Sequence, residues 1–100
     1  MRVTLHPAAE RDLQEAAMFY ERDGSPALAA RFIKEFRRVT ALLTEQPMIG
    51  APRGRGRRGL AMRIFPYTVI YRVRGEPVKE VKVLVVKHNR RRPAFGQTRA

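Results

Sequence analysis

At 100 residues the chain has the length of one domain with a single modest core. A hydrophobic content of 44% excludes a disordered chain, and the absence of cysteine excludes disulfides and thiolate chemistry. The net charge of +12 is one-sided: residues 1–50 hold seven Lys/Arg and seven Asp/Glu, residues 51–100 fourteen and two. Charge gathered this way repels itself, and a polyanion, either nucleic acid or an acidic protein segment, would relieve that cost. The plain alternative is a basic surface kept for solubility, which would more often be spread out. No apolar run nears the roughly 18 residues of a membrane span. The start, MRVTLHPAAERD, has no signal-peptide core. Together with the lack of cysteine, this points to the cytoplasm.

In chain order, Arg2 to Leu5 reads as a short strand with Val3 and Leu5 on one face. It is too short to stand alone and must join a sheet supplied later. Pro7 opens a helix to about Arg22, with Ala9, Leu13, Ala16, Ala17 and Tyr20 at helical spacing and Met18 and Phe19 widening the stripe. Asp23-Gly24-Ser25-Pro26 is a helix-to-helix turn: Gly24 for a left-handed C-terminal position, Ser25 as N-cap, Pro26 as first helical residue. The second helix, to about Thr44, buries Leu28, Phe32, Phe36, Val39 and Leu43. So short a connection makes the pair an antiparallel hairpin.

Gln46 to Arg58, QPMIGAPRGRGRR, reads as a mobile loop tacked to the core by Met48 and Ile49. Its Arg/Gly run either contacts nucleic acid or is a connector that happens to be basic. Leu60 to Ile64 alternates like a half-buried strand until Pro66 breaks the ladder. Thr68 to Arg74 returns after the break, and Arg74-Gly75-Glu76-Pro77 turns again. Val78 to Val86 is apolar on both faces, as in a central, doubly covered strand. It runs straight into Lys87-His88-Asn89-Arg90-Arg91-Arg92-Pro93, so a rigid sheet delivers a cluster of cations to one place. The tail, residues 89–100, is expected to fray, with Phe95 either pinning it back or offered to a partner. The expected fold is a single α+β domain over 1–100 in the order βααβββ, an antiparallel sheet covered on one face by a helical hairpin.

Most catalytic chemistry is excluded. Only His6 and His88 are available as imidazole ligands, without metal-binding spacing, so neither a metal nor a cofactor is expected. Gly54 to Gly59 contains G-x-G-x-x-G but follows no suitable strand, and the one serine, Ser25, is needed as a cap. Metal-free RNA cleavage needs a base, an acid and cations for the phosphorane. His88, Tyr67, Tyr71 and Glu80 are the sheet's acid–base candidates, and His88 stands beside Arg90 to Arg92. A histidine at a strand end is more often structural or solvated.

Several motifs in order resemble the ParE/RelE toxin superfamily of type II toxin–antitoxin modules, the ParE branch most. They are His6-Pro7-Ala8-Ala9-Glu10-Arg11-Asp12-Leu13, Ser25-Pro26, Ala30-Arg31-Phe32, Pro47 with Gly50, and Phe65-Pro66-Tyr67 before Ile70-Tyr71-Arg72. His88-Asn89-Arg90-Arg91-Arg92-Pro93 completes the series as the closing H-x-R-x-x-P. The resemblance implies the same βααβββ fold. It also implies a cognate antitoxin whose acidic C-terminal segment wraps the toxin into a hetero-oligomer, with Leu13, Ala17, Tyr20, Arg63 and Arg72 as expected contacts. ParE-like members are associated with inhibition of DNA gyrase. On that reading the target is gripped, without bond making, by Arg90, Arg91, Arg92 and Phe95, supported by Arg53, Arg55, Arg57 and Arg58. RelE-like members cut mRNA on the ribosome. Here that role would fall to His88, with Arg63, Arg72 and Arg90 on the phosphate, which requires those side chains to converge. Phe95 stands where a tyrosine is frequent, and Gly96 where the ParE tail usually has tryptophan.

Overall fold

The computed structural model describes residues 1–100. β1 (Arg2–Leu5) leads into α1 (Pro7–Asp23) and α2 (Pro26–Glu45), followed by β2 (Ala51–Pro52), β3 (Arg57–Ala61), β4 (Tyr67–Arg74) and β5 (Glu80–His88). The strands form one sheet in the order β1-β5-β4-β3-β2. From β2 to β5 every pairing is antiparallel. β1 lies parallel to β5, with Arg2 opposite Glu80 and Leu5 opposite Val83. The fold is therefore α+β with a helical hairpin on one face of the sheet, but the sheet is mixed rather than wholly antiparallel. Successive hairpins leave β5 one free edge, and β1 fills it.

The helices start where the sequence places them. His6 Nδ1 accepts the Ala8 N–H at 3.0 Å, and Ser25 Oγ accepts the Leu28 N–H at 3.0 Å. Gly24 is not left-handed (φ −122°). It is required for space, since a Cβ there would stand 2.7 Å from Leu28 and 2.8 Å from the Tyr20 carbonyl. The inward stripes of α1 and α2 meet β3, β4 and β5 in one core containing Ala9, Ala16, Phe32, Phe36, Val39, Leu43, Val69, Tyr71, Val81 and Val83. Phe32 stands at its aromatic centre, with ring centroids 5.3 Å from Tyr20 and Phe65 and 5.2 Å from Tyr67. A second, smaller cluster of Ile70, Leu84 and Val85 lies apart from this core, with Phe95 against it. β5 is thus buried on both faces, under helices on one and under the tail on the other.

Three local expectations change. Gln46 to Arg58 is a built hairpin, in which β2 pairs with β3 around a left-handed Gly54-Arg55-Gly56 turn. Arg58 Nη1 and Tyr71 Oη tie its start to the sheet, bonding the Gly50 carbonyl and the Gly50 N–H, each at 2.8 Å. The strand expected over Leu60 to Ile64 sits three residues earlier, because Met62 to Pro66 must fold over to bring Phe65 into the aromatic cluster. Glu35 on α2 holds that loop by accepting the Arg63 N–H at 2.6 Å. The tail does not lift away: its turns lie on the sheet, and Arg99 binds Asp12 of α1.

The Met62–Pro66 loop carries a cost. Ile64 has φ 72° and is 85% exposed, so a β-branched side chain stands in a left-handed conformation and gains no burial in return. Replacing it with glycine removes the steric penalty and forfeits no packing. Ile64→Gly is expected to raise stability by about 1 kcal/mol, read as a higher denaturation midpoint at unchanged m-value.

Candidate partner-binding surface

The bulge in β5 decides which side chains share a face. Val69 pairs with Val86, Ile70 with Val85 and Tyr71 with Val83, leaving Leu84 as the extra residue. Strict alternation would put Lys82 and Lys87, five residues apart, on opposite faces. The bulge restores them to one: Lys82 pairs with Arg72 and Lys87 with Thr68, which stand four apart on β4. Arg57 pairs with Arg72 and joins them. The face away from the helices is therefore cationic, with Arg57, Arg72, Lys82 and Lys87 on its strands and the Arg53 side chain laid across Gly59.

Arg57 and Lys87 are both buried there. Burial, with Arg53, Arg72 and Arg55 nearby, pulls the Arg57 guanidinium below its ordinary pKa, and burial with Arg53 does the same to the Lys87 ammonium. Lys82, Lys87, Asp12 and Arg99 were absent from the sequence-derived candidates. Both lysines were visible in the sequence as breaks in the apolar run of β5.

A second surface forms where β5 leaves the sheet. Arg90, Arg91 and Arg92 are exposed and none has a carboxylate partner. Phe95 is half-buried, with the Arg91 and Arg99 guanidinium carbons 4.7 and 5.1 Å from its ring centroid. Beside it, a cleft of about 390 Å³ between α1 and the strand end is lined by Phe19, Tyr67, Val86, His88, Arg91 and Phe95, with Asp12 and Glu15 at the α1 side. Phe95 packs on the Ile70–Leu84–Val85 cluster and also lines this cleft.

The remaining candidates divide. Arg53 and Arg55 are exposed, whereas Arg58 is spent on the carbonyls of Met48 and Gly50. Leu13, Ala17 and Tyr20 pack against the core, so most of that stripe is not free for a partner. Helical spacing that makes a stripe apolar also turns it inward. The exposed large apolar residues of α1 are Met18 and Phe19.

Arg63, Arg72 and His88 do not converge. His88 pairs with Tyr67, their rings 5.0 Å apart, and its Nδ1 accepts the Arg90 N–H at 3.0 Å. Arg72 lies five residues along β4 from Tyr67, about 17 Å away. Arg63 sits in the loop against α2, beside Arg31, Lys34, Glu35 and Arg38. There the Arg38 guanidinium, bonded to both Glu35 oxygens at 2.7 and 2.8 Å, holds the Glu35 carboxyl below its ordinary pKa. No group of three or more His, Asp or Glu side chains is placed to hold a metal ion. No helix is long and apolar enough to cross a membrane.

The family model described as the ParE toxin of the type II toxin-antitoxin system, parDE, matches residues 3–93. Among solved structures, a chain of the chromosomal ParDE TA system from P. aeruginosa is similar in fold, with a TM-score of 0.75 at 23% identity over 88% of this chain and 95% of that one. No curated protein matches the sequence.

Proposed function

The chain belongs to the ParE toxin family of type II toxin–antitoxin systems, and we propose that it arrests DNA gyrase by binding, as a single functional unit in the cytoplasm. The observation that carries this reading is the strand-end surface. Arg90, Arg91 and Arg92 stand exposed and without carboxylate partners, in the turn that follows the buried strand β5 and beside an aromatic cleft. Such a surface grips an anionic macromolecule: the cations steer and orient it, and Phe95 with Phe19 supplies apolar contact. Arg53 and Arg55 add charge from the β2–β3 turn. The cognate antitoxin neutralises the toxin by laying an acidic segment over these same cations, folding as it binds. Family membership supports such a partner; the one-sided charge supports its acidity.

Ribosome-dependent mRNA cleavage has less support. His88, Arg63 and Arg72 point to three different places, so no phosphate is held between them.

Purified toxin in excess is expected to inhibit gyrase supercoiling and to spare ribosome-bound mRNA. An Arg90→Ala/Arg91→Ala/Arg92→Ala triple variant, folded by circular dichroism, is expected to lose inhibition by about a hundredfold or more, each contact contributing about 1 kcal/mol or more. Uninhibited supercoiling by the intact toxin rejects the target. A triple variant as potent as the parent rejects the surface.

A further inference from the structure

The helix-free face of the sheet carries a row of like charges. Arg57 stands directly opposite Arg72, and Arg72 directly opposite Lys82, so three neighbouring strands place cations side by side, about 4.8 Å apart at the backbone. Like charges in that position cost stability. No Asp or Glu side chain is paired with any of them. Arg57 Nη1 donates to the Gly96 carbonyl at 3.2 Å, Arg72 Nη2 to the Arg55 carbonyl at 3.1 Å, and Lys82 Nζ to the main-chain oxygen of Ala100 at 3.0 Å. The acceptors of Arg57 and Arg72 are neutral backbone carbonyls, and only Lys82 meets a carboxylate oxygen, at the last residue, Ala100. Arg57 is only 5% exposed and its Nε has no hydrogen-bond partner. A buried, half-satisfied guanidinium is expensive, and burial of a charge is ordinarily answered by a counter-charge. Glu80, the nearest acid on these strands, is turned to Thr4 at 2.7 Å and Arg2 at 3.9 Å.

We propose that this row, Arg57, Arg72 and Lys82, binds a phosphate group. A carboxylate carries one charge, and its two oxygens match one arginine fork. A phosphate carries its charge on several oxygens arranged in three dimensions, and these can face donors from three strands at once. Arg72 and Lys82 each use one donor on a main-chain oxygen, so others remain to take the ligand. The phosphate belongs either to a nucleic-acid backbone or to a free polyphosphate; both present the same chemistry to the row. The site goes beyond the reading above and does not depend on gyrase, since a toxin that failed to inhibit supercoiling would still show it.

The test uses two probes on the whole chain: tripolyphosphate by calorimetry, and a labelled single-stranded oligonucleotide of about 12 nucleotides by anisotropy. The Arg72→Gln/Lys82→Gln variant is compared with Arg22→Gln/Arg31→Gln, which removes equal charge from the helices. Saturable binding is expected for at least one probe, weakened about tenfold or more by the sheet variant and less than about twofold by the helix variant. With the oligonucleotide, the sheet variant is also expected to flatten the dependence of log K on log salt by about 1.4. Tripolyphosphate binding alone assigns the ligand to free polyphosphate, oligonucleotide binding alone to the nucleic-acid backbone, and both support the site. Because the sheet variant relieves like-charge repulsion, its thermal midpoint is expected to stay level or rise. If it unfolds, Lys82→Gln alone is the substitute, with about threefold or more weakening expected. Equal loss in both double variants, no saturable binding, or polyglutamate binding as tightly as tripolyphosphate overturns the proposal.

Discussion

Replacing Phe32 with alanine is expected to cost about 4 kcal/mol, a large part of what holds a domain of this size together. Phe32 is fully buried, and its ring touches three others, Tyr20, Phe65 and Tyr67, each at about the distance favoured by edge-to-face packing. These come from α1, the Met62–Pro66 loop and β4. No single element can close in on the space left behind, so the cavity persists and adds to the lost transfer energy. For about 100 residues, a loss of that size lowers the thermal midpoint by roughly 20 °C. Phe32→Leu keeps most of the volume and should lose only about 1.5 kcal/mol. Urea denaturation of the two variants checks the ratio. An alanine variant within 1 kcal/mol of the parent would mean that the four rings do not form one packed unit.

The next largest effect is expected at Asp12. β1 ends at Leu5, so β5 runs on past it with backbone groups unpaired on that side. Asp12 and Arg99 stand in for the missing strand: Asp12 Oδ2 accepts the Val86 N–H at 3.0 Å, and Arg99 Nη1 donates to the Leu84 carbonyl at 3.0 Å. The two side chains also bind each other, 9% and 16% exposed. Asp12→Ala leaves a guanidinium without its counter-charge and a backbone N–H without a partner in a mostly dry place, at a cost of about 3 kcal/mol. Asp12→Asn keeps an oxygen for Val86 and should lose less. Amide hydrogen exchange at Val86 separates the two roles: strongly accelerated in Asp12→Ala, much less in Asp12→Asn. Equal stability of Asp12→Ala and the parent would show that the pair caps nothing.

What the sequence revealed follows physical range. Ser25-Pro26 marked the helix junction because a cap and a fixed φ act within a few residues. The stripes of α1 and α2 marked one face of the core because helical period is local. The Leu84 bulge was not visible, since one unpaired residue in a run of valines has no signature of its own, and it reversed the face of Lys87 relative to Lys82. The Asp12–Arg99 pair spans 87 positions, and no spacing rule reaches that far. Arg57 read as one more exposed loop arginine, and only the shifted start of β3 places it under the tail. The candidate site was legible at Arg90 to Arg92, where charge and strand end coincide. It was illegible on the sheet face, where the register of three strands brings the cations together.

The parallel pairing of β1 with β5 bears on how the toxin is born. β1 leaves the ribosome before the rest of this domain, yet Thr4 meets its hydrogen-bond partner Glu80 only 76 positions later. Until then the two helices emerge with no sheet to lie on, and non-local closure of this kind is paid for before it is rewarded. A translation product that stops short of Glu80 has neither a closed core nor the cations of β5. The cationic surface proposed above therefore exists only once β5 has been made and has closed on β1.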